Sequence, residues 1–457
     1  MGIKRVFTIN LLIDQALPGQ IIELLCSFQN NRYIELQLVV DFADGQVLDR
    51  IDPLKDNVIK IYYHFEDNSE KTWNWITNMA NIKDLFLQWK TDFVVSTPMT
   101  ITLSQESIRN LKLYHVPDDL KFNISKLGNL RHLAIMTWTL TDEFFNNLPP
   151  TLQTLHLTSC NIDTPFILLP PRLVKFTVIS DIGMFVIPEI LNTARLRFLS
   201  DVDISTSMST NTSYNGFIIE RMQAFIDSLP PTLVTFKLLL FPPTSLPRNY
   251  CPGFDILNFS RLDSLREFSF NSLQKEVDRY DLSKLPPFIE KLEFDVLATS
   301  FVNNFPLTLN DLRLDLTAYK CCIDIFWKEH VFPLDLKTFT AKQPMVQWID
   351  FTKIDFKNLE SFTLETTGHL DRIDPLVSTV SMNDIPPTLL KFRLVDKTYN
   401  YLDHHTKIKL TGSMTDNLRR VDVEPPMRFS WFDSEGKKIS TTKDVNTLKG
   451  PVGTLFF

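Results

Sequence analysis

The residues best able to bind metal or act as nucleophiles are eight histidines and five cysteines, and their spacing favours neither role. His404-His405 is an adjacent pair, but neighbouring residues on a strand point to opposite faces and no third ligand stands near. An exposed pair is expected there rather than a zinc site. Cys321-Cys322 is a poor spacing for zinc and a poor disulfide. His132 and His156 fall on outward strand positions of adjacent sequence units, so they could be close in space, and a solvated or hydrogen-bonded pair is the default. Acidic residues are more suggestive. Glu267, Glu293, Asp295, Asp311 and Asp315, diluted by Lys291 and Arg313, recur at matching places in three successive units. Such a block attracts a segment of opposite charge, although exposed strand positions are also charged simply for solubility.

No Gly-rich phosphate loop, His-Glu-x-x-His, Gly-x-Ser-x-Gly or Cys-x-x-Cys motif occurs. The expectation is therefore a chain that is not an enzyme, with no catalytic residue, no cofactor and no metal site. A net charge of −7 without a long basic run weighs against nucleic acid as a partner. No run approaches the length of a membrane span. The odd cysteine count and the absence of flanking cysteine clusters favour an intracellular setting, cytoplasmic or nuclear. The apolar stretch after Lys4-Arg5 is short and polar for a signal peptide.

The elements that must position these residues are announced by one phrase, Leu-Pro-Pro-x-Leu-x-x-Leu-x-Leu. It reads Leu148-Pro149-Pro150-Thr151-Leu152-Gln153-Thr154-Leu155-His156-Leu157 and recurs from Leu169, Leu229, Leu285 and Ile385, with looser copies from Phe305 and Phe332. Without the prolines, the apolar-x-x-apolar-x-apolar core starts at Val58, Ile82, Ile108, Leu130, Leu152, Leu173, Leu196, Leu233, Leu265, Ile289, Leu309, Leu336, Leu359, Leu389 and Leu418. The copies at Val58 and Leu196 are the weakest, the latter placing Asp201 at an apolar site. A phrase repeated about every 20–30 residues marks a stacked repeat.

Period-two alternation makes each x-Leu-x-Leu a short strand with one buried face. Leu155 and Leu157 should point inward, while Thr154, His156 and Thr158 point out. Phe176, Phe236, Phe268, Phe339, Phe362 and Phe392 take the first inward site elsewhere. Helical stretches are expected at 69–80, 141–147 and 216–228, the last with apolar spacing at Ile218, Met222, Phe225 and Ile226. The polar segment 205–216 is expected to be a mobile surface loop.

The chain resembles leucine-rich-repeat proteins over about residues 55–425. The Pro-Pro variant is similar to repeats of fungal leucine-rich families, some carrying an F-box, and to those of bacterial effector ligases and amoebal FNIP proteins. Leu152–Ile162 follows the full family phrase, with Cys160 at the Asn/Cys position; elsewhere that position holds Lys90, Trp138, Phe241, Thr317 or Thr367. The resemblance implies an α/β fold, a curved horseshoe with a parallel sheet on its concave face and mixed short helices and loops on its convex face. It implies a protein-interaction scaffold with a protein partner on the concave face.

Residues 1–54 are expected to cap the solenoid. Within them Leu17-Pro18-Gly19-Gln20-Ile21-Ile22 resembles the first helix of an F-box, which would imply a ubiquitin-ligase adaptor as partner and a substrate-receptor function. The following residues do not match that motif. Residues 426–457 are expected to form a C-terminal hairpin cap, with strands at 429–433 and 438–442.

Overall fold

The computed structural model describes residues 7–13, 19–27, 34–41, 45–65, 70–91, 98–180, 188–207, 212–241, 257–277, 280–298, 301–315, 332–343, 356–366, 377–381, 386–396, 407–411, 420–424, 429–432, 438–442 and 455–456. The chain forms two compact units, Met1–Leu233 and Val234–Phe457.

In the first unit the strands are β1 (Phe7–Ile13), β2 (Ile34–Asp41), β3 (Val58–Phe65), β4 (Asp84–Trp89), β5 (Asn110–Tyr114), β6 (His132–Met136), β7 (Thr154–Thr158), β8 (Lys175–Ser180) and β9 (Asp201–Ser207). Each pairs in parallel with the next in chain order. The register lays Leu38, Ile61, Leu85, Leu111, Leu133, Leu155, Phe176 and Val202 side by side in one buried row. Parallel neighbours require a crossover. Helices α1 (Gly19–Cys26), α2 (Gly45–Ile51), α3 (Glu70–Thr77), α4 (Asp142–Asn146) and α5 (Thr212–Ser228) lie in the segments between strands, alongside short parallel strand pairs such as Met99–Thr102 with Leu120–Asn123.

The second unit repeats the plan. Its strands are β10 (Thr235–Phe241), β11 (Glu267–Val277), β12 (Lys291–Ala298), β13 (Asp311–Asp315), β14 (Thr338–Gln343), β15 (Ser361–Thr366), β16 (Lys391–Asp396) and β17 (Arg420–Glu424), all parallel in order. Phenylalanine dominates the inward row, with Leu292 and Leu312 between: Phe236 and Phe268 lie 5.9 Å apart, Phe339 and Phe362 5.6 Å, Phe362 and Phe392 5.8 Å. Near the C-terminus Phe429–Phe432 and Lys438–Thr442 pair antiparallel.

Where the full phrase occurs, Pro-Pro builds the turn that enters the strand. The Pro149 carbonyl accepts from the Leu152 N–H at 3.1 Å, closing a four-residue turn with Pro150 at its second position, where a fixed φ suits it. The same bond recurs from Leu173 to Pro170, Leu309 to Pro306 and Leu389 to Pro386. The residue before the first Leu ties repeats together. Thr151 Oγ1 donates to the Leu130 carbonyl at 3.0 Å, Thr308 to Ile289 at 2.7 Å and Thr388 to Leu359 at 2.9 Å; Asn81 and Asn129 side chains do the same. A polar ladder therefore runs along the strand-entry edge of each unit.

At the strand exit, where the family phrase expects Asn or Cys, rings take over. Trp89 stacks on Phe65 at 4.7 Å and meets Phe122 edge-on at 5.8 Å, and Phe122 meets Trp138 at 5.9 Å. Such ring pairs add to simple burial. Cys160 retains the polar solution, its buried Sγ donating towards the Thr158 carbonyl at 3.4 Å.

Parallel pairing, the buried Leu and Phe rows and helices in the stretches 69–80, 141–147 and 216–228 agree with the sequence reading, and each unit has the α/β, parallel-strand repeat fold expected of leucine-rich repeats. Three details differ. The repeat read at Leu196 is displaced: Leu199, Val202 and Ile204 are the buried positions, and Asp201 faces out beside Lys175, at 3.5 Å. A short 3-10 turn at Thr193–Arg195 absorbs the Leu196 segment. The ladder also extends to β1 and β2, so parallel pairing runs on into residues 1–54. Finally, the segment expected as a loop over 205–216 is partly regular, since β9 continues to Ser207 and α5 begins at Thr212.

Candidate functional site

The outer face of the second unit's sheet carries the acidic block. Register places Glu267 beside Lys291 and Lys291 beside Asp311 in one row, Ser269 beside Glu293 and Glu293 beside Arg313 in the next, and Asn271 beside Asp295 in a third. Neighbouring strands stand about 4.8 Å apart, so the residues of one row share a surface. Glu267 and Lys291 are exposed, Glu293, Asp311 and Arg313 are half-buried, and Asp315 is buried.

These charges are not equivalent. Arg313 holds Glu293 on one side, Nε to Oε1 3.5 Å, and Glu365 of β15 on the other, Nη2 to Oε2 3.4 Å. Ser269 Oγ donates to Glu293 Oε2 at 3.3 Å. Asp315 Oδ2 accepts from Lys342 Nζ of β14 at 2.5 Å. Glu293 and Asp315 are thus tied into the sheet's own ionic network, and Lys342 and Glu365 belong to it although sequence reasoning omitted them. The repeats from Leu336 and Leu359 carry both, so extending the outward rows by two strands would have found them.

Glu267 and Asp311 flank Lys291. Burial pushes the Asp311 carboxyl above its ordinary value; Lys291 opposes this, and Glu293 and Glu267 reinforce it. Burial, rather than the neighbouring carboxylates, is thus the main reason why Asp311 resists ionisation.

In the first unit His156 is half-buried, with Nε2 2.8 Å from Thr158 Oγ1. Burial chiefly lowers its pKa; Asp203 opposes, and Lys112 and Lys175 reinforce. His156 is level with Ala134, two residues beyond His132 on β6, so the two histidines are offset along their strands. Burial pushes the Cys160 thiol up to about 11, leaving a poor nucleophile at neutral pH. Among the described residues no group of three or more His, Cys, Asp or Glu could hold a metal ion. Cys251, Cys321-Cys322 and His404-His405 lie outside the described residues. No helix among the described residues is long and apolar enough to cross a membrane.

Sequence reasoning also passed over an aromatic feature on the outer face of β3 to β5. Tyr62 and Phe86 stack with ring centroids 4.1 Å apart, beneath the ammonium groups of Lys60 and Lys112. The available signal was an aromatic residue at the same outward position of two successive repeats, the first of which is the weak Val58 copy.

Of the F-box-like stretch, Gly19–Ile22 lie in α1 while Leu17-Pro18 are outside the described residues; the next described element is β2, which pairs with β1. Its helix therefore lies between two paired strands of the repeat sheet.

No family model matches the chain, and no curated protein matches it. A solved structure described as "CroV588 a novel circular LRR protein structure" is similar to it at 14% identity and a TM-score of 0.30, covering 82% of this chain and 68% of that one.

Proposed function

We propose that this protein is a non-catalytic interaction scaffold that holds a partner protein on the outer face of its parallel sheet. Repeat solenoids present extended side-chain surfaces on regular strands, which suits protein recognition more than chemistry. The contact centres on Glu267, Lys291, Glu293, Asp295, Asp311, Arg313 and Asp315, and the partner presents a basic segment. The observation carrying this reading is the register that sets Glu267 and Asp311 on either side of Lys291, with Glu293 in the adjacent row of the same face. Two carboxylates so placed suit a partner's cation.

Within the site the roles divide. Arg313 and Lys342 hold Glu293, Glu365 and Asp315 in fixed positions. Glu267 and Asp311 remain to meet a partner's Lys or Arg. Complementary charge of this kind speeds encounter and weakens as salt screens it.

A titration of a Lys/Arg-rich synthetic peptide against the full chain, read by fluorescence anisotropy at two salt concentrations, tests the reading. Binding should fall with salt and be lost in E267K/D311K. Equal binding by wild type and variant contradicts it.

A further inference from the structure

The first unit carries a second surface of opposite character. Along one outward row the register aligns Leu12, Val39, Tyr62 and Phe86 on β1 to β4, ending at Lys112 on β5. Outward strand positions of a sheet whose other face is buried are ordinarily polar. Here four successive strands contribute apolar groups: Leu12 is 57% exposed, Val39 and Tyr62 are half-buried, and Phe86 is buried beneath its neighbours at 8%. At about 4.8 Å per strand the row spans roughly 15 Å.

Two ammonium groups bracket its end. Lys112 Nζ lies 4.8 Å and Lys60 Nζ 5.3 Å from the Phe86 ring centroid, and Lys60 also lies 5.0 Å from that of Tyr62. Cation–π contact orders both lysines but does not neutralise them. Two other outward lysines of the sheet do meet carboxylates: Lys175 meets Asp201, and Lys342 meets Asp315. Among the described residues neither Lys60 nor Lys112 has a carboxylate within 4.0 Å. Asp84 is level with Lys60, yet its carboxylate accepts from the Asn110 side chain. Two like charges therefore converge on one ring without a counter-ion from the described residues.

We propose that the outer face of β1 to β5 is a docking surface for an acidic peptide segment of another protein, whose carboxylates meet Lys60 and Lys112 and whose apolar side chains lie along the Leu12–Phe86 row. A peptide fits better than a nucleic acid. Bases need open ring faces, whereas Tyr62 and Phe86 cover each other and carry the ammonium groups. Phosphate backbones need clustered cations along their track, whereas this row runs away from its two lysines into Val39 and Leu12. The surface is separate from the acidic block of the second unit and does not depend on it.

The test uses the full chain and three labelled peptides of roughly ten residues, enough extended chain to cross the row. One alternates Glu with Leu or Phe, one replaces every Glu by Gln, and one replaces every apolar residue by Ser. Anisotropy should show the first binding at least about tenfold more tightly than the other two, in line with one displaced charge contact or apolar anchor. K60Q/K112Q and, separately, Y62A should each weaken it about tenfold or more, while E267K/D311K leaves it unchanged. Circular dichroism melts identify any variant that fails to fold, and Lys112→Arg, which keeps the charge, should retain binding. The proposal is overturned by absence of binding of the Glu-Leu peptide, by equal binding of the Gln peptide, or by unchanged binding in folded K60Q/K112Q. Tighter binding of a single-stranded oligonucleotide of equal charge overturns it in favour of nucleic acid. A dimer in light scattering that K60Q/K112Q abolishes overturns it in favour of a second copy.

Discussion

Arg313 on β13 reaches past β14 to Glu365 on β15, placing Nη2 3.4 Å from Oε2. The Glu365 side chain is only 9% exposed, so this contact replaces part of the hydration it has lost. Removing one partner of a buried pair costs several kcal/mol, and less where the cation is a third exposed, as Arg313 is. Arg313→Met should therefore lower stability by about 1–3 kcal/mol in chemical denaturation. Glu365→Gln in that background should restore part of the loss, giving a measurable coupling between the two sites.

Register on the sheet is tested at β7. Leu155 is fully buried between Leu133 and Phe176, whereas His156 faces outward. Leu155→Ala should cost about 2–5 kcal/mol, as large-to-small core changes do. His156→Ala should cost far less. Equal effects would mean that the two faces are exchanged.

The strand exits carry a backbone signature. His115, Thr137 and Ser159 have φ of 54°, 56° and 49°, and their N–H groups donate to the next repeat's strand at Met136, Thr158 and Ile179. Thr137 is β-branched and exposed, so the left-handed conformation strains it while its side chain loses little on removal. Thr137→Gly should raise stability by up to about 1 kcal/mol, read as a higher denaturation midpoint.

Asp311 gives the site a pH signature. Its folded-state pKa is raised, so the folded chain holds this proton more tightly than the unfolded chain. Its contribution to stability is therefore lost as pH rises from the ordinary carboxylate range through the raised value. Asp311→Asn should remove that decline, and at neutral pH the variant should be at least as stable as wild type. A thermal melt series across acidic to neutral pH reads this directly.

Much of this was legible in the sequence because the repeat phrase encodes both ends of a strand. Leu155 and Leu157, and the Phe series from Phe176 to Phe392, follow from alternation alone. Where the phrase is absent or nested, register fails. Phe7–Ile13 alternates apolar residues without a Leu-Pro-Pro turn, and Leu196 and Leu199 offer two overlapping frames of which the 3-10 turn selects the second. The acidic block was legible as a list of outward residues. Its internal pairing was not, because Arg313–Glu365 joins residues two strands apart, beyond what nearest-repeat comparison reveals. The Tyr62–Phe86 stack needed the exact alignment of β3 with β4, which the weak Val58 copy obscured.

The central claim is that the second unit's acidic sheet face holds a protein partner through Glu267 and Asp311. Quantitative affinity purification from the native cell, comparing wild type with E267K/D311K, tests it most directly. The account predicts that one set of proteins with basic segments is recovered with wild type, declines as salt is raised in the wash, and is lost from a variant whose melting temperature is nearly unchanged. Recovery of the same proteins at the same level with E267K/D311K would contradict it and leave these acids as a solvated surface.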